Sequence, residues 1–102
     1  MTAVLDLQDD HAAIVREILR RYLPEGARAF VFGSRARGGA RRYSDLDLAL
    51  LWDRALGLER IAILSEALSE SDLPYKADIV DLADVEPSFR ARIEGDCVPL
   101  FF

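Results

Sequence analysis

RAFVFGSRARGGARRYSDLDLALLW, residues 28–52, holds two strands and the turn that joins them. Arg28 to Phe32 is short and apolar, the pattern of a buried strand. Gly33 to Ser44 is rich in turn residues, with room for one helical turn. Asp45 to Trp52 alternates: Leu46, Leu48 and Leu50 share one face of a second strand, and Asp45 and Asp47 share the other. An apolar face on one side and two carboxylates on the other calls for a core beneath the strand and chemistry above it.

The flanking segments supply that core. Asp9 to Tyr22 reads as a helix, with Asp9 or Asp10 as its cap and Ile14, Ile18 and Tyr22 at four-residue spacing. Pro24 and Gly26 end it. Leu58, Ile61, Leu64 and Leu68 form a helical stripe, broken by Pro74. Lys76 to Leu82, KADIVDL, is a third strand. Asp84 is the expected cap of a short helix with Pro87 in its first turn, Val85, Phe89 and Ile93 on one face, and Gly95 as its stop. The apolar tail, Cys97 to Phe102, reads as a last short strand or a packing arm. The order α-β-β-α-β-α, with that tail, predicts an α/β (α+β) fold: a small mixed sheet with helices against it.

A chain of 102 residues fits one domain, expected to span residues 1–102. With 51% hydrophobic and 30% charged residues, it is neither disordered nor low in complexity. One cysteine, Cys97, and one histidine, His11, exclude a disulfide framework and a Cys- or His-rich metal site. Cys97 reads as a packing thiol and His11 as a surface or capping residue. Trp52 and Tyr43 flank the second strand and read as packing residues. The N-terminal stretch lacks the basic start and apolar run of a signal peptide, so the cytoplasm is the expected compartment.

A net charge of −5 argues against a general nucleic-acid binder. That average hides a local contrast. Arg28, Arg35, Arg37, Arg41 and Arg42 lie between Ala27 and Ser44 with no acid among them, and Asp45 and Asp47 follow at once. Basic residues beside paired acids suit a small phosphorylated ligand with a metal.

Two carboxylates two apart on a strand sit about 7 Å from each other at Cα. A divalent cation offsets the cost of crowding them, and hard oxygen ligands suit Mg2+. A third carboxylate on an adjacent strand would complete a two-metal site. The third strand offers Asp78 and Asp81 on opposite faces. Asp78 lies deeper in the strand, and Asp81 is the fallback. Gly33 and Ser34, directly after the first strand, form a turn whose backbone N–H groups can face an anion, with the Ser34 hydroxyl as a further donor. The turn is no P-loop, because it lacks the lysine and spacing of that motif.

Gly33-Ser34, ten intervening residues and then Asp45-x-Asp47 closely resemble the signature of the nucleotidyltransferase superfamily that shares the DNA polymerase beta fold. VFGSRARGGARRYSDLDLAL looks like the small stand-alone members, the minimal nucleotidyltransferases, and KADIVDL resembles the strand bearing the family's third carboxylate. The resemblance implies that Asp45, Asp47 and Asp78 hold two Mg2+ ions and act in catalysis. It places ATP over Gly33 and Ser34, with Arg37 and Arg35 near the phosphates and Arg41 and Arg42 facing solvent or a partner.

It further implies a partner: an all-helical protein of the HEPN type, a toxin in some pairs, adenylylated on a tyrosine by the nucleotidyltransferase acting as antitoxin. Other readings are nucleotidyl transfer to a small hydroxylated molecule, or an antitoxin that masks its partner by contact alone. The nucleotide and metal site fills nearly all of the chain's length, so a second chain is expected to present the acceptor.

Overall fold

The computed structural model describes residues 5–38, 40–41 and 43–102. Gly39 and Arg42 lie outside the described residues, so the expectation for Arg42 is not addressed. The chain runs through α1 (Asp9–Tyr22), β1 (Arg28–Phe32), α2 (Ser34–Arg37), β2 (Leu46–Leu51), α3 (Leu58–Ser69), β3 (Ala77–Asp81), α4 (Pro87–Asp96) and β4 (Val98–Leu100). The strands form a mixed sheet in the order β3-β2-β1-β4. β1 pairs antiparallel with both β2 and β4, and β2 pairs parallel with β3. The parallel pair needs a crossover, and α3 provides it. The apolar tail becomes β4 and closes the sheet beside β1.

Helices cover both faces of the sheet unequally. On one face Leu46, Leu48 and Leu50 are fully buried with Ala29 and Val31, against Val15 and Leu19 of α1 and Leu64 and Leu68 of α3. Burying a leucine side chain contributes roughly 1.5–3 kcal/mol, so this face supplies most of the stability. On the other face a smaller cluster of Ala49, Leu82 and Ile93 gathers Phe30, Phe32 and Val80 around α4.

Several local expectations give way to tertiary structure. The fully buried seam of α1 is Ala12, Val15 and Leu19, and of the Ile14 series Ile18 and Tyr22 pack beside it, partly buried. No side chain caps α1: its N-cap is Gln8, and Asp9 and Asp10 occupy the first turn, where their charge favours the helix dipole. Leu58 opens α3 and is 88% exposed, so the packed stripe begins later, with Ile61 partly buried and Leu64 and Leu68 buried. Asp84 does not cap α4. Its N–H donates to the Asp81 carbonyl in a turn, and the helix starts at Pro87 after an extended Glu86. A residue before proline avoids the helical region, so proline fixes the start and Asp84 falls too early. Gly95 does not stop α4, which continues to Asp96.

Candidate active site

The sheet register builds the site. Phe32 of β1, Asp47 of β2 and Asp78 of β3 are consecutive partners across three strands. They form one row on the α4 face. The next row inward, Phe30, Ala49 and Val80, is apolar and packs in the cluster around α4. Neighbouring strands lie about 4.8 Å apart, so Asp47 and Asp78 are held side by side. Asp45 precedes β2, is exposed, and adds its charge to the same place.

That arrangement is electrostatically strained. Burial first, and then the negative charges of Asp78 and Asp45, push the Asp47 carboxyl above its ordinary value, while Arg37 pulls it back. Lys76 Nζ reaches Asp78 Oδ1 at 3.3 Å, an exposed pair that relieves little of the repulsion. Crowded oxygen donors of this kind suit a hard cation. Among the described residues no three acidic, cysteine or histidine side chains close into a metal cage. Mg2+ does not demand one, because it usually takes one or two carboxylates and completes its shell with water and substrate phosphate.

Gly33 sits at φ 74°, ψ −154°, a conformation that favours glycine. A Cβ here would also collide with Asp47 Oδ2. The turn therefore lies directly against the carboxylate row, and only glycine permits that approach. The Gly33 carbonyl accepts from the N–H groups of Ala36 and Arg37, at 3.1 and 3.3 Å, which winds α2. The Ser34 N–H, at the first position of this short helix, has no helical carbonyl to reach, which leaves the turn suited to an anion. Gly38, left-handed at φ 80°, returns its N–H to the Ser34 carbonyl and ends the helix.

Arg35 requires a correction. It was expected near the phosphates, yet its side chain is only 5% exposed. Its Nε and Nη2 donate to the Ser44 carbonyl at 3.1 and 2.9 Å, and Nη1 donates to the Asp6 carbonyl at 3.1 Å. The guanidinium also lies 3.9 Å over the Tyr75 ring. A buried cation needs such partners. Arg35 thus ties α2 to Ser44, the residue just before Asp45, and fixes the glycine turn against the carboxylate strand. Arg37, two residues on, is exposed and within electrostatic reach of Asp47.

The two candidates for the third carboxylate separate cleanly in space. Asp81 is buried on the α1/α3 face, where Oδ2 accepts from Leu56 N–H at 2.7 Å and Oδ1 accepts from Ala83 N–H at 3.1 Å. It anchors the loop before α3. Asp78 stands in the row with Asp47.

His11 is partly buried rather than a plain surface or capping residue, with Nδ1 3.1 Å from the Tyr75 hydroxyl and the two rings edge to face. Tyr43 was expected to pack, but it is 62% exposed. Trp52 does pack against the core, and its indole N–H donates to the Glu25 carbonyl at 3.2 Å. Cys97 packs under α4, and burial raises its thiol pKa. Arg92 was missed. It lines a hollow with Gly33 and Arg37, and an exposed arginine on a short helix carries no sequence signal.

Glycine turn, carboxylate row and mixed sheet define a nucleotidyltransferase, and the chain belongs to the polymerase beta nucleotidyltransferase family, whose model matches residues 13–101. It is 42% identical over 91 residues to the probable protein adenylyltransferase MntA of Haemophilus influenzae, across 89% of this chain and 79% of that protein. Its fold also matches a toxin–antitoxin crystal structure with AMP-PNP, at TM-score 0.77 and 26% identity, across 88% of this chain and 72% of that one. A complex of the tri-AMPylated Shewanella oneidensis HEPN toxin with MNT antitoxin shares the fold at TM-score 0.69 and 23% identity, across 88% of this chain and 68% of that one.

Proposed function

We propose that this protein is a Mg2+-dependent adenylyltransferase that moves AMP from ATP onto a hydroxyl, most specifically a tyrosine of a helical HEPN-type toxin whose antitoxin it is. The observation that carries the reading is the Asp47–Asp78 row set directly against the Gly33 turn. The likeness to MntA and to a toxin–antitoxin pair with AMP-PNP supports it.

In this reading residues 1–102 form one catalytic domain. Ser34, through its hydroxyl and N–H, binds the phosphates at the Gly33 turn, and Arg37 neutralises part of their charge. Asp45, Asp47 and Asp78 would hold the two Mg2+ ions. When bound, these supply charge neutralisation and make the acceptor hydroxyl more acidic. Asp78, at the outer end of the row, orients the acceptor side. The hydroxyl oxygen forms a bond to the α phosphorus, the bond from that phosphorus to the β-bridging oxygen breaks, and pyrophosphate leaves. The proton of the hydroxyl passes to solvent or to Asp78. Arg35 acts at a distance, by fixing the turn against the strand. An ATP-dependent reaction with a lone thiol fits the cytoplasm, and among the described residues no helix is long and apolar enough to cross a membrane.

The test is mass spectrometry of a helical protein encoded beside this chain, after incubation with this chain, ATP and Mg2+. Adenylyl additions on a tyrosine are expected. An unmodified partner that is nevertheless neutralised would favour masking by contact. Transfer only to a small hydroxylated molecule would overturn the partner but keep the chemistry.

A further inference from the structure

A hollow of about 190 Å3 opens beside Gly33, between the end of β1 and α4. Gly33 and Arg37 line it from one side, and Phe89, Arg92 and Asp96 line it from α4. Neither Arg37 nor Arg92 has an ion-pair partner among the described residues. Both are exposed, while Ile93 beside Arg92 is buried at 3% and fixes this part of the helix to the sheet. Two exposed arginines on different elements therefore line one hollow beside the glycine turn.

We propose that Arg92 of α4, across this hollow from Arg37, is a second clamp on the terminal phosphates that the glycine turn binds. The inference rests on the nucleotidyltransferase reading and extends it to an element outside the family signature. Size selects the ligand part. Pockets for whole small molecules run to about 300–1,000 Å3, so this one suits a phosphate group rather than a nucleoside. Charge selects it too, since guanidinium forks match phosphate oxygens. The Phe89 ring is already engaged edge to face with Phe32 at 6.4 Å, which disfavours a stacked base. Asp96, four residues after Arg92 on α4, puts an opposing charge at the rim and tempers the affinity.

The test is direct binding of ATP and of AMP to the full chain in Mg2+ buffer, for wild type, Arg92→Ala, Arg92→Lys and Asp96→Asn. Arg92 is exposed, so none of these changes empties the core. Arg92→Ala is expected to weaken ATP about tenfold while AMP changes less than about twofold. Arg92→Lys is expected to recover part of the loss, because it restores charge without the fork. Asp96→Asn is expected to tighten ATP roughly two- to threefold. In turnover, Arg92→Ala should raise KM for ATP and leave kcat near wild type, the mark of binding lost equally in ground and transition states. Equal losses for ATP and AMP would place the nucleoside here and overturn the assignment. A wild-type preference for ATP that persists in Arg92→Ala would overturn this inference alone. A wild type that binds neither nucleotide would overturn the proposed function with it.

Discussion

The two faces of the sheet are built from alternate residues of the same strands, and they differ in what covers them. On one face β2 presents Leu46, Leu48 and Leu50, sealed under α1 and α3. On the other it presents Ala49, buried by α4, and Asp47, which α4 leaves half open beside Asp78. A helix long enough to seal the second face would bury unpaired carboxylates at prohibitive cost. Stability is therefore concentrated on one face, and the crowded charge is confined to the uncovered end of the other. The same division separates like residues near each other in sequence. Arg35 and Asp81 hold backbone groups inside the fold, while Arg37 is exposed and Asp78 stands in the open row beside Asp47.

Substitutions that respect or violate this division test it. The largest effect is expected from exchanging the two aspartates of β3. Asp78→Asn should lower adenylyl transfer by about 10³-fold, or about 4 kcal/mol of barrier, with the melting temperature retained. Asp81→Asn should do the reverse. It should cost about 1–3 kcal/mol of stability through the weakened bond to Leu56, with turnover per folded molecule near wild type. Parallel kinetics and thermal melts check both, and an equal effect on activity would mean that the faces are not separate.

Leu48→Ala comes next. It empties a fully buried position on the sealed face and should cost about 2–5 kcal/mol in denaturant titration, leaving nucleotide affinity unchanged in the folded fraction. The arginine pair is expected to show smaller effects. Arg35→Met should lose about 2 kcal/mol as the Ser44 and Asp6 carbonyls lose their donor. Arg37→Met should leave melting unchanged and weaken ATP by roughly tenfold.

The smallest effect is one of pH. In the metal-free protein Asp47 holds its proton more tightly than it does in the unfolded chain, whose value is about 3.8. Folded molecules then carry the extra proton just above that pH, and stability falls as pH rises through the folded-state pKa. Asp47→Asn should therefore melt above wild type at neutral pH, by less than about 0.5 kcal/mol after screening. The advantage should fade as pH approaches 3.8. Added Mg2+ should raise the wild-type melting temperature and leave that of Asp47→Asn nearly unmoved.

Much of this division can be read in the sequence because strands alternate strictly. DLDLAL shows which side is core and which carries charge, and Asp78 and Asp81, three apart on one strand, must point opposite ways. The close approach at Gly33 is legible because a glycine after an apolar strand marks such a turn. Arg35 and Arg37 were not separable. Their fates depend on where Asp6 and Ser44 return in space, and no local pattern encodes that. Arg92 was hidden for the same reason, because only the packing of α4 on the sheet brings it to the glycine turn. The missed caps at Asp84 and Gly95 reflect the stronger demand of Pro87 and of the buried Ile93 on where α4 begins and runs.

Asp47→Asn, measured at once for melting temperature and for adenylyl transfer to the helical partner with ATP and Mg2+, tests the central claim most directly. The expected variant melts at or above the wild-type temperature and transfers no detectable adenylyl group. Transfer at the wild-type rate, or a loss of activity that merely tracks a loss of folded protein, would contradict it.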